Sequence, residues 1–375
     1  MERFETVIIG GGQAGLATAY HLKKQGRPFV VLDAEERIGD AWRKRWDSLR
    51  LFTPAKYDGL PGMRFPGPRW SFPTKDEMGD YLEAYAERFE LPVRTDVFVD
   101  RIYRDGDRYV IEFGLETFEA DNVVVATGAH RAARRPGFAS ELDPGITQLH
   151  SADYRNPGQL RDGEVLVVGV GNSGAEIAFE LSRTHDVHQA GSPSAEIPVR
   201  HGGIPSRFVL PVIRFLGRHV LTVRTPVGRK VRPRFIATAA PLIRVKSNDL
   251  DAAGVARVAR MVGVRDGLPL LADGRVLDVA NVVWCTGFEY DFSWIDLPVL
   301  ADDGEPLHEH GVVAAAPGLY FVGLVFQFAA VSDVLPGVGR DAARVAKHLA
   351  SASAARRSSA AAAAEQAPLA LDSTR

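Results

Sequence analysis

The feature that most restricts the fold of this chain is a strand, a glycine turn and a helix that follow one another near the amino terminus. Residues 7–9 (Val-Ile-Ile) lead into Gly10-x-Gly12-x-x-Gly15, and apolar residues then recur at helical spacing. In such a unit the first glycine permits a tight turn, the second lets the backbone approach a pyrophosphate, and the third lets helix and strand pack closely. The helix amino terminus attracts the phosphates. The pattern therefore predicts a dinucleotide site.

An acidic residue marks the end of the next predicted strand. Residues 29–32 are Phe-Val-Val-Leu, and Asp33 follows them directly. A carboxylate at this place binds the ribose hydroxyl groups of a dinucleotide. We therefore add Asp33 to the three glycines as a candidate cofactor-binding residue.

The same unit occurs a second time in the middle of the chain. Residues 165–168 (Val-Leu-Val-Val) form the predicted strand, and the glycines that follow are Gly169, Gly171 and Gly174. Two dinucleotide sites in one chain suggest that one bound molecule passes electrons to the other. The copy with the acid would hold FAD, and the second copy would hold a nicotinamide nucleotide as hydride donor.

The second copy favours NADPH over NADH. Its next candidate strand, residues 187–190, is followed by Gly-Ser-Pro-Ser. No carboxylate is present there to bind the 2′-hydroxyl group of NADH. Residues 197–248 contain no acid and many arginines. Ser192, Ser194 and Arg200 are therefore the candidate ligands of a 2′-phosphate.

Length and charge limit the class of protein. A chain of 375 residues exceeds what one hydrophobic core usually supports, so we expect two domains. The formal net charge of -2 gives no reason to expect a nucleic-acid partner. No apolar run approaches the roughly 20 residues of a spanning helix, and the first strand begins too early to leave room for a signal peptide. The sequence therefore predicts a cytoplasmic enzyme.

Cysteine is nearly absent from the sequence. The single Cys285 excludes an intrachain disulfide, a dithiol redox pair and a cysteine-rich metal site, and we predict no bound metal. A flavin disulfide reductase, which needs a dithiol, is thereby excluded.

Three further segments carry a resemblance to a known family: "GDAWRKRWDSLRLFTP" (residues 39–54), "WCTGF" (residues 284–288) and "GVGRDA" (residues 337–342). Through them the chain resembles the flavin-dependent monooxygenases with two Rossmann domains, which include flavin-containing monooxygenases, YUCCA enzymes and Baeyer–Villiger monooxygenases. It is most similar to bacterial flavoproteins of that superfamily. The likeness covers roughly residues 5–350.

The resemblance implies an α/β fold with two Rossmann-like, three-layer dinucleotide-binding domains, of which the FAD domain is discontinuous. Residues 1–150 and 288–350 would form the FAD domain, and residues 151–287 the NAD(P) domain. The chain would cross between them where two apolar strands end in Thr-Gly, at Thr127 and Gly128 and at Thr286 and Gly287. Residues 351–375, rich in Ala and Ser, are predicted to be disordered or weakly helical.

The resemblance also implies contacts with the flavin. The segment 39–54 would lie along it, with Trp42, Arg43, Trp46, Leu49 and Thr53 in the FAD pocket. Residues 336–349 are interpreted as a loop that opens a helix, whose amino terminus would stabilise negative charge on the reduced flavin. Gly337, Gly339, Arg340 and Asp341 would form that end. The alternative is a plain amphipathic helix.

Two positions depart from the patterns of the resembling families. In residues 144–157, His150 and Tyr154 fit a monooxygenase fingerprint, whereas Pro144 and Ile146 replace its Phe and Gly. Where many animal-type relatives place a catalytic Asn, this chain has Phe52. His150 would either order the domain junction or form a local hydrogen bond.

The activity implied by the resemblance is oxygenation. NADPH would pass hydride to flavin N5, O₂ would add at C4a, and the resulting peroxyflavin would deliver an oxygen atom to a small apolar substrate at nitrogen, sulfur or a ketone. We name no catalytic residue; Asp333 and Gln327 are weak candidates. The alternatives are an NAD(P)H-flavin reductase with a non-dithiol acceptor and a flavin-binding redox sensor with little turnover.

Residues 200–234 form an acid-free, arginine-rich stretch with interleaved apolar residues. Such a stretch suits a segment that lies on an anionic membrane surface or covers the substrate entrance. It equally suits a basic insertion that packs on the NADPH domain and attracts the phosphates of its cofactor.

Overall fold

The computed structural model describes residues 2–128, 132–192, 194–238 and 240–365, which form two larger β-sheets and their surrounding helices. The strands are β1 (Glu2–Ile9), β2 (Val30–Leu32), β3 (Val93–Arg94), β4 (Arg101–Asp105), β5 (Arg108–Phe113), β6 (Glu116–Val125), β7 (Ala132–Ala133), β8 (Thr147–His150), β9 (Val165–Val168), β10 (Val187–Ala190), β11 (Ala256–Val258), β12 (Met261–Arg265), β13 (Leu268–Leu271), β14 (Asn281–Trp284), β15 (Phe288–Glu289) and β16 (Leu319–Phe321). The α-helices are α1 (Gln13–Lys24), α2 (Asp40–Arg43), α3 (Lys75–Arg88), α4 (Asn172–Leu181), α5 (Ser206–Phe215), α6 (Pro226–Ala237), α7 (Ser247–Ala252) and α8 (Leu335–Glu365).

The first sheet has the order β3-β2-β1-β6-β5-β4, with β16 also paired to β6. Strands β1, β2 and β16 run parallel to their neighbours, and β4 and β5 form an antiparallel hairpin. The β-branched residues of β1 and β2 are buried, as expected for parallel strands covered on both faces. Because β16 follows the whole second sheet in the chain, the first sheet is built from two separate stretches, which confirms the predicted discontinuous α/β architecture.

The second sheet has the order β11-β10-β9-β14-β8, and all its strands are parallel. The strand predicted at residues 187–190 is β10. The expected domain boundary at residue 150 is wrong by one strand, since β8 pairs with β14 in the second sheet. Sequence alone could not place β8, because a four-residue strand acquires its position from its neighbours.

The two chain crossings between the sheets lie side by side. Strands β7 and β15 pair antiparallel. The Arg134 amide donates to the Gly287 carbonyl at 3.1 Å, and the Thr286 hydroxyl donates to the Arg134 carbonyl. The two crossings therefore form one ribbon, the crossing ribbon, in place of two independent linkers.

Helix α8 packs against α1 beside the first sheet. It begins at Leu335 and continues to Glu365, so residues 351–365 are helical, which is the second of the two conformations expected for this tail. The alanine content of this segment explains the helix, since alanine has the highest helix propensity. Residues 366–375 of the same prediction lie outside the described residues.

None of the helices in the described ranges combines the length and apolar character that crossing a bilayer requires.

Candidate functional site

The two glycine turns share one geometry. Gly10 has a φ of +107°, and a Cβ atom there would lie 2.5 Å from the Ala126 carbonyl oxygen. Gly169 has a φ of +128°, and its Cβ would lie 2.2 Å from the Cys285 carbonyl oxygen. Each turn therefore presses against the end of a neighbouring strand, β6 or β14, at the residue that precedes Thr-Gly. No side chain can be accommodated at either position.

The remaining glycines of the motif divide into packing and open positions. A Cβ on Gly15 would lie 1.8 Å from the Gly10 carbonyl oxygen, and one on Gly174 would lie 2.2 Å from that of Gly169. Both glycines thus allow a helix to approach its strand. At Gly12, by contrast, no described heavy atom lies within 4 Å of an added Cβ. The backbone there faces space that a pyrophosphate would need.

Both helices that follow the turns begin without side-chain caps. Gly12 precedes α1 and Gly171 precedes α4, and neither helix has an acid in its first turn. The first amides of a helix need acceptors, and the helix amino terminus carries partial positive charge. Within the described residues, these two ends are therefore suited to phosphate groups.

Asp33 lies against the first glycine turn, as its place after β2 predicts. Its carboxylate accepts the Gly11 amide at one oxygen and the Glu35 amide at 2.9 Å at the other. Burial raises the pKa of this carboxyl group. Each carboxylate oxygen has a second lone pair, so Asp33 keeps the capacity to accept ribose hydroxyl groups.

Residues 39–54, which the resemblance places along the flavin, fall into two groups in the structure: Arg43 contacts α3, whereas Trp42, Trp46 and Leu49 pack in the core. Arg43 turns toward α3, where it donates to Asp80 at 2.8 Å and Glu83 at 2.7 Å. It also contacts Asp40 and the Ile38 carbonyl. The guanidinium is engaged in holding α2 on α3, and a contact between Arg43 and FAD stays a prediction.

Trp42, Trp46 and Leu49 pack in the core cluster that also contains α1 residues. Trp46 and Leu49 are buried, and the Trp46 Nε1 atom is buried without a hydrogen-bond partner among the described groups. A buried donor without an acceptor is unusual in a folded protein. It marks a place where a bound group can accept the hydrogen bond.

Sequence reasoning missed Asp58. The Thr53 hydroxyl donates to its Oδ1, while its Oδ2 has no partner among the described residues. Burial raises the pKa of Asp58 to about 7. The nearby Tyr81 hydroxyl donates to the Met63 carbonyl and accepts the Leu60 amide. The sequence signal that could have identified Asp58 is an acidic residue among Pro, Gly and aromatic residues.

The loop after β10 brings one of three predicted phosphate ligands to the second turn. The Ser194 hydroxyl donates to the Val170 carbonyl at 3.0 Å, inside the glycine motif. Ser192 and Arg200 are exposed. The turn is further held by Gln189, whose amide donates to the Gly169 carbonyl at 3.1 Å. Gln189 was not predicted, because its role depends on the register of β10 and β9.

The glycines at the start of α8 are packing residues. Since α8 begins at Leu335, Gly337 and Gly339 lie inside the helix, and the interpretation of a glycine loop before it is wrong. A Cβ on Gly337 would lie 1.7 Å from the Val331 carbonyl oxygen, and one on Gly339 would lie 2.7 Å from Pro61. The helix therefore approaches its surroundings only because these side chains are missing.

Arg340 and Asp341 have different surroundings. The Arg340 guanidinium lies over the Phe328 ring at 5.1 Å, and burial, with Arg344 and Arg218 nearby, lowers its pKa to about 10. Asp341 is buried and accepts Arg344 at 2.7 Å.

The two weak catalytic candidates also differ. Gln327 is buried, and its amide bonds the backbone at Phe321, His310 and Leu324, which is a structural role. Burial raises the pKa of Asp333 to about 6. The Asp333 carbonyl accepts the side chain of Gln13 at the start of α1.

His150 and Tyr154 connect separate elements. The Nδ1 atom of His150 accepts the Ala152 amide at 3.1 Å, so its Nε2 carries the proton and donates to the Gly287 carbonyl at 3.1 Å. Burial lowers the pKa of His150 and favours this neutral form. Tyr154 is buried and donates to Glu180 on α4 at 2.7 Å. His150 thus fastens β8 to the crossing ribbon.

Thiol and metal chemistry have no assembled site in the described ranges. Burial raises the pKa of the Cys285 thiol to about 12, so the group is protonated at neutral pH. In those ranges, no cluster of three or more His, Cys, Asp or Glu side chains is arranged to hold a metal ion.

Comparison with known proteins gives three kinds of likeness. Residues 7–197 match the family described as "Pyridine nucleotide-disulphide oxidoreductase". The "Uncharacterized oxidoreductase CzcO-like" of Geobacillus kaustophilus is 37% identical, over 90% of this chain and 96% of that protein. The "Probable indole-3-pyruvate monooxygenase YUCCA3" of Arabidopsis thaliana is 29% identical, over 84% and 81%. A double mutant of the flavin monooxygenase from Stenotrophomonas maltophilia superposes with a TM-score of 0.75 at 27% identity, covering 93% and 98%.

Proposed function

The chain belongs to the pyridine nucleotide-disulphide oxidoreductase family and to the flavin-dependent monooxygenase superfamily, and from this premise we propose that it is an FAD-dependent, NADPH-oxidising monooxygenase of a small apolar substrate. The observation that carries the proposal is the pair of equivalent glycine turns, which differ in that the next strand is followed by an acid, Asp33, only in the first copy. The buried, protonated Cys285 leaves no dithiol for disulfide chemistry.

The first turn and its surroundings fit FAD. The uncapped amides of α1 would bind the pyrophosphate above Gly12, and Asp33 would accept the ribose hydroxyl groups. Trp46 Nε1 would donate to the cofactor, which satisfies its hydrogen-bonding requirement. Thr53, Thr127 and Gly128 remain proposed neighbours of the flavin. When bound, FAD would supply hydride acceptance and oxygen transfer to the substrate.

The second turn and its surroundings fit NADPH. The uncapped amides of α4 would bind the pyrophosphate, and Ser192, Ser194 and Arg200 would contact the 2′-phosphate. No carboxylate occupies the position that corresponds to Asp33 at the end of β10. The crossing ribbon, with Thr286 and Gly287, would hold the two dinucleotide sites at a distance that permits hydride transfer.

Stopped-flow spectroscopy tests the activity. The protein, reconstituted with FAD and reduced by NADPH without oxygen, is mixed with oxygenated buffer. We expect a transient absorbance band that belongs to neither oxidised nor reduced flavin, and incorporation of labelled oxygen into the product. The proposal is refuted if the purified protein fails to bind flavin or fails to bind NADPH.

A second candidate is a reductase that passes electrons to a non-dithiol acceptor. The observations in its favour are the incomplete fingerprint, in which Pro144 and Ile146 replace Phe and Gly, and Phe52 at the place of the catalytic Asn of animal-type relatives. This candidate predicts single-step reoxidation by oxygen, no oxygenated product and rapid NADPH oxidation only when ferredoxin or a quinone is added.

A further inference from the structure

Helix α5 presents large apolar side chains to solvent. Ile204, just before the helix, is 71% exposed, Phe208 is 72%, Val212 is 56% and Phe215 is 58% exposed. Their spacing of three or four residues places them on one face of the helix. We call these four residues the apolar face. A contiguous exposed face of this kind usually marks an interaction surface.

The opposite side of α5 already packs on the protein. Ser206 is buried there, and Val209 and Ile213 are half-buried. The helix therefore carries more apolar surface than the fold covers.

Cations surround the apolar face without compensating acids. Residues 200–234 hold eight arginines and one lysine, which is nine of the 45 cations of the chain, and residues 197–248 contain no Asp or Glu. Within the described part of the protein, none of these nine side chains forms an ion pair. Arg207 and Arg214 instead lie over the rings of Trp70 and Tyr57, at 5.9 and 4.9 Å.

A basic cavity of about 440 Å³ lies beside α5. Its cationic lining comprises Lys56, Arg214, Arg218 and Arg340, and no carboxylate lines it. The Nε atoms of Arg214 and Arg340 are buried without a hydrogen-bond partner in the described residues. Asp341 attracts Arg218 and Arg340 from nearby but does not line the cavity. Guanidinium groups that form no ion pair around a cavity favour an anion with several acceptor oxygens, such as a phosphate group.

This surface is anchored to the rest of the protein. The Val223 amide donates to the Phe328 carbonyl at 3.0 Å, and the Ala330 amide donates to the Leu221 carbonyl at 2.9 Å. Arg218 donates to the Pro336 carbonyl at 3.0 Å, at the start of α8. The apolar face is therefore presented by a fixed platform and not by a loose loop.

We propose that helices α5 and α6 dock this protein on an anionic lipid bilayer, with the apolar face inserted at the interface and a lipid phosphate bound in the basic cavity. Amphipathic helices with an apolar face and flanking cations bind such surfaces through buried apolar area and attraction to anionic lipids. The exposed cations Arg207, Arg224, Arg229, Lys230 and Arg234 would face the lipid headgroups. This proposal is independent of the catalytic activity.

Vesicle co-sedimentation of the full, FAD-reconstituted protein tests the proposal. The vesicles are phosphatidylcholine with or without phosphatidylglycerol, at low and high salt. We expect binding to the anionic vesicles, weakened by salt. Phe208→Gln combined with Phe215→Gln should weaken binding by about tenfold or more, because each ring loses its apolar burial. Leu115→Gln, at an exposed position in the turn between β5 and β6, is the matched control.

The cavity is tested with a second pair of variants. Arg214→Gln combined with Arg218→Gln should remove most of the preference for phosphatidylglycerol, whereas Arg265→Gln should not. Melting temperatures check that each variant remains folded. The proposal is overturned if the unaltered protein does not bind anionic vesicles at low salt, or if the phenylalanine variant binds them equally well. It is also overturned if light scattering shows a dimer that the phenylalanine variant abolishes, since a second copy would then cover the face.

Discussion

Burial of the Asp58 side chain disfavours the charged form of its carboxyl group. Burial raises its pKa to about 7 in the folded protein, above its value of about 4 in the unfolded chain. The folded state therefore holds the proton more tightly, and this group makes the protein lose stability as pH rises from about 4 to about 7.

We expect Asp58→Asn to remove that loss. The amide can still accept the Thr53 hydroxyl at Oδ1, and it has no charge to bury. Relative to the unaltered protein, the variant should gain roughly 2–4 kcal/mol in the free energy of unfolding at pH 8 and little at pH 4. Urea denaturation at both pH values measures the difference. The exposed Asp107→Asn is the control, and a gain that does not change with pH would contradict the argument.

Gly169 is a second residue whose environment restricts the residue type, here to glycine. A Cβ there would meet the Cys285 carbonyl at 2.2 Å in a sparsely populated backbone region that costs other residues about 1–3 kcal/mol. Gly169→Ala should distort the second turn, raise the Kd for NADPH by roughly tenfold or more, and leave the flavin bound. Titration with NADPH and the flavin absorbance measure the two effects. Gly137→Ala, where an added Cβ meets no described atom, should change neither.

Residue types with a fixed steric role were predictable. Gly10, Gly15, Gly169 and Gly174 follow from the motif, because strand-to-helix packing requires their small size wherever it occurs. Arg43 and Asp58 were not predictable, since their surroundings come from α3, distant in the chain. The Asp33 carboxyl group was predictable because it belongs to the motif, whereas the contacts of Arg43 and Asp58 depend on neighbours that no motif specifies.

At the scale of elements, the loop after β10 decides nucleotide preference in the proposed function. Arg200 is exposed on this loop and would meet a 2′-phosphate. Arg200→Gln should raise KM for NADPH by about tenfold and leave KM for NADH unchanged, because only NADPH carries that phosphate. Steady-state kinetics with both nucleotides measure the split. The control is Arg183→Gln, and an equal rise for both nucleotides would remove Arg200 from the phosphate site.

Short elements limited the predictability of the architecture. The apolar runs of β1 and β9 were found from the sequence, because they are continuous and followed by glycine, whereas β10, which contains His and Gln, was found only as the candidate strand after the second glycine motif. Strand β8 and the start of α8 were misplaced. Residues 147–150 become a strand only by pairing with β14, and α8 includes Pro336 because proline is tolerated in a first turn.

At the scale of the whole molecule, the crossing ribbon and His150 hold the two sheets together. We expect His150→Ala to slow reduction of bound flavin by NADPH by roughly tenfold while FAD affinity is retained, because the Gly287 carbonyl loses one of its two donors among the described residues and keeps the Arg134 amide. Anaerobic stopped-flow reduction measures the rate, and a melting curve reports the loss of stability. His185→Ala is the control. Unchanged reduction in a folded His150 variant would show that the junction does not set nucleotide position.

The equivalence of Ala126 and Cys285 beneath the two glycine turns has a practical outcome. Alanine already serves in the first copy, so Cys285→Ala should be tolerated in the second, with a loss of about 1 kcal/mol in unfolding free energy, measured by denaturant titration. The product would be a sulfhydryl-free polypeptide. Cysteines introduced at chosen surface sites, one beside each of the two larger sheets, could then carry paired spectroscopic labels that report the distance between the sheets during turnover.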